Sequence, residues 1–241
     1  MPVKEYRRFL EGMERVETEL RLAEGAVSFV VRTDVPAFRE VLPGMGYSAG
    51  DGEFTRTFSA DVAGLERIYR NFERQLERVL EQAARLRPVP WEAALAELVD
   101  RLDATGAAWF VSGSAALAIR GIEIAPRDID FVTGDHAAVA EALADALVEP
   151  PIHDRDRRWI AAWFGRAYLG VLVEWVADVH PEYDDWGAPN EIGPTAASRL
   201  ESTSWKGRRL LLSPLDLQLA VNQTRGLDDR VEAIRRFEQH G

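Results

Sequence analysis

The chain has 241 residues, 46% hydrophobic and 29% charged, enough for one substantial core or two smaller ones and incompatible with disorder along its whole length. Its 40 acidic against 29 basic side chains give a net charge of −11, which disfavours nucleic acid and anionic membranes as partners. The sequence contains no cysteine, which excludes disulfide frameworks, thiolate zinc sites and cysteine nucleophiles and fits a reducing compartment.

Residues 1–22 set charged among apolar positions at helical spacing, without the apolar stretch and cleavage site of a signal peptide. We expect a helix there and a cytoplasmic protein. The most apolar later run, Gly170 to Val179, is broken by Glu174 and Asp178 and falls short of the roughly 20 residues a membrane span needs. Two strands follow, Ala26 to Arg32 and, after a Gly-rich turn, Glu53 to Phe58, with a short helix between them. From Ser59 as N-cap, Val62, Leu65, Ile68, Phe72, Leu76, Val79, Ala83 and Leu86 recur at steps of three and four, predicting a long helix over 60–87. Its apolar seam either faces a core or pairs with a second copy, so a homodimer through helix 60–87 is the alternative to a core-facing helix. Residues 1–87 thus read as a small α/β domain whose role is open.

Pro88 and Pro90 stop that helix and mark a boundary. Segment 88–182 opens with an amphipathic helix, Trp91 to Ala104, and an apolar strand, Ala108 to Ser112. Segment 183–241 reads as mostly helical. Ser213-Pro214-Leu215-Asp216 combines an N-cap, a first-turn Pro and an acid, and the last 28 residues look like two helices broken at Gly226. The middle segment holds 7 basic and 16 acidic side chains, nearly all of the negative excess. A solvated acidic surface accounts for this, as do sites for divalent cations or a cationic ligand.

The chemistry-bearing stretch is Trp109 to Val132. A buried strand runs into Ser112-Gly113-Ser114 and on into an Ala-rich helix, a strand–turn–helix joint whose unpaired N–H groups suit an anion. Then comes Arg127-Asp128-Ile129-Asp130-Phe131. On a strand, Asp128 and Asp130 share one face while Ile129 and Phe131 enter the core, and two adjacent carboxylates suit a divalent cation such as Mg²⁺. A polar edge strand with two solvated acids is the bland alternative. A third acid is sought in Leu169 to Val179. Glu174, flanked by Val173 and Trp175, is the first choice because an unpartnered carboxylate in an apolar strand is costly; Asp178, of the same parity, is the alternative.

Together, Ser112-Gly113-Ser114, thirteen intervening residues, Asp128-Ile129-Asp130-Phe131 and Val173-Glu174-Trp175 resemble the signature of the DNA polymerase β-like nucleotidyltransferase superfamily. The similarity covers about Trp91 to Val179. It extends more loosely into Pro214 to Leu217 and Arg225 to Arg230, which look like the helical tail of stand-alone bacterial members such as antibiotic-modifying and toxin-type enzymes. The resemblance implies an α+β fold with a mixed-sheet nucleotidyltransferase core and a C-terminal helical segment. It also implies transfer of an NMP from an NTP, for instance ATP, to an acceptor hydroxyl with release of pyrophosphate. By that resemblance Asp128, Asp130 and Glu174 are the catalytic, metal-binding acids for Mg²⁺ or Mn²⁺. Ser112, Gly113 and Ser114 would hold phosphates, and Arg120 and Arg127 are candidates for neutralising them. The third acid is Glu where many relatives carry Asp, and Asn222 or Arg225 stands in the region where toxin-like relatives place a lysine.

For the acceptor, the acidic core favours a small hydroxylated molecule over nucleic acid. The acidic loop His180 to Glu191 carries Tyr183 and Trp186, which could clamp an amine-bearing ligand, and Asp154 to Trp159 holds the core's basic cluster. The alternatives are a toxin-like enzyme modifying tRNA or protein, and a non-catalytic nucleotide-binding or dimerisation module.

Overall fold

In the computed structural model, residues 15–184 and 189–240 are described, and the chain divides into two compact units, Met1–Val89 with Asp145–Pro150 and Pro90–Ala144 with Pro151–Gly241. Among the described residues no helix is long and apolar enough to cross a membrane.

The first unit is built on strands β1 (Glu17–Ala23), β2 (Ala26–Arg32), β3 (Ser48–Gly50) and β4 (Glu53–Ser59), antiparallel in the order β1-β2-β4-β3. Helix α1 (Pro36–Val41) and helix α2 (Leu65–Ala83) complete it. Val27, Phe29 and Val31 alternate along one buried face of β2, and the Phe29 ring meets those of Phe72 and Tyr69 on α2 at 4.8 and 5.2 Å. Glu19, Arg21, Arg32 and Glu53 form an ion-pair network on the other face. The helix expected over 1–22 is therefore corrected for 17–23, where charge and apolarity alternate with a period of two and the backbone pairs along its whole length with β2. Its first part, 1–14, lies outside the described residues.

The long helix is shorter than 60–87. Gly64, at φ 75°, precedes its first turn, and Arg85, at φ 60°, lies past its end, so Val62 and Leu86 are not part of it. Its seam of Ile68, Phe72, Leu76, Val79 and Leu80 is buried within the single chain. The homodimer through this helix accordingly loses the free apolar face it requires, and the core-facing alternative is what the structure contains.

A mixed sheet of seven strands runs in the order β10-β11-β5-β6-β9-β8-β7, all of it in the second unit except the first part of β7. They are β5 (Trp109–Ser112), β6 (Asp128–Thr133), β7 (Leu147–His153), β8 (Ala161–Tyr168), β9 (Leu172–Val179), β10 (Glu201–Trp205) and β11 (Arg208–Leu212). Helices α3 (Trp91–Asp103), α4 (Gly113–Ile119), α5 (His136–Ala142), α6 (Pro194–Ala197), α7 (Leu215–Thr224) and α8 (Asp228–His240) accompany it. The fold is α+β with a mixed sheet. β6 runs parallel to β9 and antiparallel to β5, and β8 pairs antiparallel with β9 through the turn at Gly170, φ 81°.

Residues 201–212, expected within a mostly helical segment, form the β10–β11 hairpin. Lys206 and Gly207, both at positive φ, supply the two-residue turn whose twist suits paired strands, and Leu212 joins the hairpin to β5 opposite Val111. Beyond it, α7 and α8 close back on α4: Leu117 and Ile122 cluster with Ala233 and Ile234, and Leu215 and Leu219 pack alongside. Fully burying a Leu or Ile side chain such as Leu117 or Ile234 contributes about 1.5–3 kcal/mol. At the sheet centre Trp175 is 1% exposed and lies over Gly165, where a Cβ would overlap its indole; only glycine leaves room for that ring.

Candidate active site

Strand register gathers the acids. Ser112 on β5 lies opposite Asp130 on β6, Asp130 opposite Glu174 on β9, and Glu174 opposite Arg166 on β8, so one row of four side chains crosses four adjacent strands. Asp128 stands two residues before Asp130 on the same face. One carboxylate oxygen each from Asp128, Asp130 and Glu174 lies within 4.8 Å of the others. Asp178 is exposed at the end of β9 and is not in this group.

Electrostatics follow from that crowding. Burial first, and then the Glu174 charge, push the Asp128 carboxyl up to about 6, against the partial relief of Arg230 and Arg166. Asp130 rises well above the ordinary carboxylate range, again through burial and then through Asp128, Glu174 and Glu191. Arg166 donates from Nε to Glu174 Oε1, and its guanidinium lies 5.0 Å from the centre of the Phe164 ring. Three carboxylate oxygens this close, with two of the acids held reluctant to ionise, form a hard-oxygen donor set that fits a divalent cation.

The Ser112–Gly113 turn leans on the same row. Gly113 has φ 61°, and a Cβ at that position would overlap Asp130 Oδ2, so both backbone freedom and the missing side chain are used. The turn and the acids open into a cavity of about 430 Å³. Trp159, Ile160, Phe164 and Trp175 form part of its wall, and Arg225 and Arg230 line it from the C-terminal end of the chain. Neither of these guanidinium groups has a hydrogen bond or ion pair among the described residues.

The other candidates separate. Ser112 and Gly113 line the cavity; Ser114, 2% exposed on α4, does not. Arg127 is exposed just before β6, on the opposite parity from Asp128, and is not part of the lining. Arg120 is turned into the protein: it pairs with Glu201 Oε2 at 2.7 Å and donates to Gln218 Oε1 at 3.0 Å and to the carbonyls of Ala116 and Ser213. It ties α4 to α7 and β10. Trp186 lies outside the described residues, as does the side chain of Tyr183, while Arg157 and Arg158 of the basic cluster pair with Glu182 and Asp156.

Four residues in or beside the site escaped sequence reading: Arg166, Glu191, Gln218 and Arg230. Arg166 was accessible, because it and Glu174 lie equally far from Gly170 at the centre of a hairpin. Glu191 could be seen only as one acid among several in a loop. Gln218 and Arg230 depend on the docking of α7 and α8, for which the sequence carries no pairing signal.

No protein-family model matches the sequence, and no curated protein matches it. Solved structures similar to this chain include a candidate nucleotidyltransferase, TM1012, from Thermotoga maritima, at 18% identity and a TM-score of 0.46, covering 63% of this chain and 94% of that one. The antibiotic-resistance factor ANT(2'')-Ia follows at 13% identity and a TM-score of 0.37, covering 59% and 79%. An antigenic nucleotidyltransferase-like protein from Paracoccidioides brasiliensis is similar at 11% identity and a TM-score of 0.37, covering 61% and 77%.

Proposed function

We propose that the chain is a metal-dependent nucleotidyltransferase that moves an NMP from an NTP to a hydroxyl of a small acceptor molecule, releasing pyrophosphate. The observation that carries this reading is the meeting of Asp128, Asp130 and Glu174, from two parallel strands, beside the Ser112–Gly113 turn.

Asp128, Asp130 and Glu174 would hold Mg²⁺ or Mn²⁺, which when bound supplies Lewis-acid polarisation of phosphoryl oxygens. Arg225 and Arg230 face the same cavity as the acids and offer charge to the phosphates of the donor. The acceptor hydroxyl attacks the α-phosphorus, its oxygen forming the new P–O bond as the bond to the pyrophosphate oxygen breaks, and the hydroxyl proton passes to a carboxylate of the site. Arg166 keeps the Glu174 carboxylate aimed at the cavity. The indole of Trp159 and the ring of Phe164 limit water there, so that the acceptor competes with hydrolysis. The cavity volume lies in the range that encloses most of a small ligand.

The test is thermal unfolding with each of ATP, GTP, CTP and UTP, with and without Mg²⁺ or Mn²⁺, on the wild type and Asp130→Ala. One nucleotide at a hundredfold its Kd should stabilise the wild type by about 2.7 kcal/mol, only with metal and not in the variant. Absence of a shift with every nucleotide and metal would overturn the reading.

A further inference from the structure

The amide of Gly113 already has an anionic partner. Its N–H donates to Glu191 Oε2 at 3.2 Å, and Gln218 Nε2 donates to the same oxygen at 2.8 Å and to the Gly113 carbonyl at 2.9 Å. Gln218 is wholly buried and cannot choose otherwise: its Oε1 is taken by Arg120, which Glu201 holds in turn. A chain of side chains, Glu201–Arg120–Gln218, therefore sets the Glu191 carboxylate against the glycine turn. The backbone beside Glu191 is also tied, because Asn190 accepts from the Ile192 N–H at 2.9 Å and donates to Asp184, which accepts from the Thr195 N–H at 2.7 Å.

Glu191 is 9% exposed and lines the cavity, its Oε1 has no partner among the described residues, and its charge is felt at Asp130. It is a fourth carboxylate where three already repel one another. A polyphosphate brought to the triad meets this negative charge at the turn that would otherwise offer it a backbone N–H.

We propose that Glu191 is an internal competitor for the polyphosphate: in the ligand-free chain its carboxylate holds the Gly113 amide, and the donor nucleotide binds only as that side chain turns away. The inference rests on the nucleotidyltransferase reading and adds a regulation to the same site. Because Asn190 and Ile192 are tied on either side of Glu191, its side chain swings while these two neighbours stay. Nucleotide affinity is then reduced by the fraction of time the carboxylate spends on the turn.

The experiment is calorimetric titration of Mg²⁺ with inorganic tripolyphosphate, and of Mg²⁺ with each of the four NTPs, into the wild type and Glu191→Gln. Glutamine keeps the shape and an acceptor oxygen for the Gly113 amide and removes the charge. It should bind tripolyphosphate and one NTP about tenfold more tightly. Glu191→Ala, a second variant should the first fail to fold, should move in the same direction. Equal or weaker binding in the variants, with clear binding to the wild type, overturns the competitor and leaves the nucleotidyltransferase reading standing. Absence of binding to both wild type and variants overturns both.

Discussion

Arg166 on β8 stands opposite Glu174 on β9 and donates to its carboxylate, with 8% and 19% of the two side chains exposed. This is the cation inside the row of acids, and it makes the arrangement tolerable without a metal. Arg166→Leu removes that compensation and leaves Glu174 facing Asp130 alone. We expect a loss of about 3–5 kcal/mol in EDTA, the cost of breaking a largely buried pair. Millimolar Mn²⁺ should restore part of it. Urea unfolding in EDTA and in Mn²⁺ decides the point: a loss that Mn²⁺ leaves unchanged would mean the arginine serves packing only.

Gly113→Ala places a methyl group against Asp130 Oδ2 at a backbone angle that favours glycine. The strain alone costs about 1–3 kcal/mol. Displacing Asp130 should also abolish metal-dependent stabilisation, which a merely strained turn elsewhere would not do. Thermal unfolding with and without Mn²⁺ separates the two effects.

The acids give a pH dependence of known sign. The Asp128 carboxyl is raised from 3.8 to about 6, so the folded chain holds this proton more tightly than the unfolded one. As pH climbs between those values the unfolded chain releases its proton first, and the metal-free protein loses stability until about pH 6, where the loss levels off. Asp130 acts in the same direction. Urea midpoints in EDTA from pH 4 to 7.5 should therefore fall relative to those of Asp128→Asn; parallel curves would contradict the raised value.

Arg225→Ala and Arg230→Ala should each weaken Mg²⁺–NTP binding about tenfold, the loss of one charge-assisted contact, while Mn²⁺ binding in the absence of nucleotide stays the same or tightens. Titration calorimetry with metal alone and with metal–nucleotide measures both. Weakened Mn²⁺ binding in either variant would place that arginine in the structure of the acid cluster instead.

What the sequence revealed and what it withheld can be traced to range. Asp128 and Asp130 share a face by strand parity, and the Gly113 turn is local, so both were legible. The Glu174 neighbour was inferred from the cost of an acid in an apolar strand, and the parallel register of β6 and β9 puts it beside Asp130. At residues 17–23 the helical expectation overlooks a period of two that is strand spacing, and Arg120 illustrates the limit of composition: a cation near a glycine turn suits phosphate on paper, yet here it is spent on Glu201 and Gln218. The β10–β11 hairpin was hidden because Ser202, Thr203 and Ser204 carry no apolar alternation, leaving Lys206-Gly207 as its one local sign.

The late position of that hairpin has a consequence for synthesis. Leu212 on β11 reaches Val111 on β5, and Arg225, just past α7, and Arg230 on α8 come only afterwards. A growing polypeptide that has left the ribosome as far as residue 200 owns Asp128, Asp130, Glu174 and Glu191 but, of the three arginines around them, Arg166 alone. Until Arg225 and Arg230 have emerged, the half-made centre is an unbalanced anion cluster, and a divalent cation met at that stage would act as a folding aid before it has any chemistry to perform.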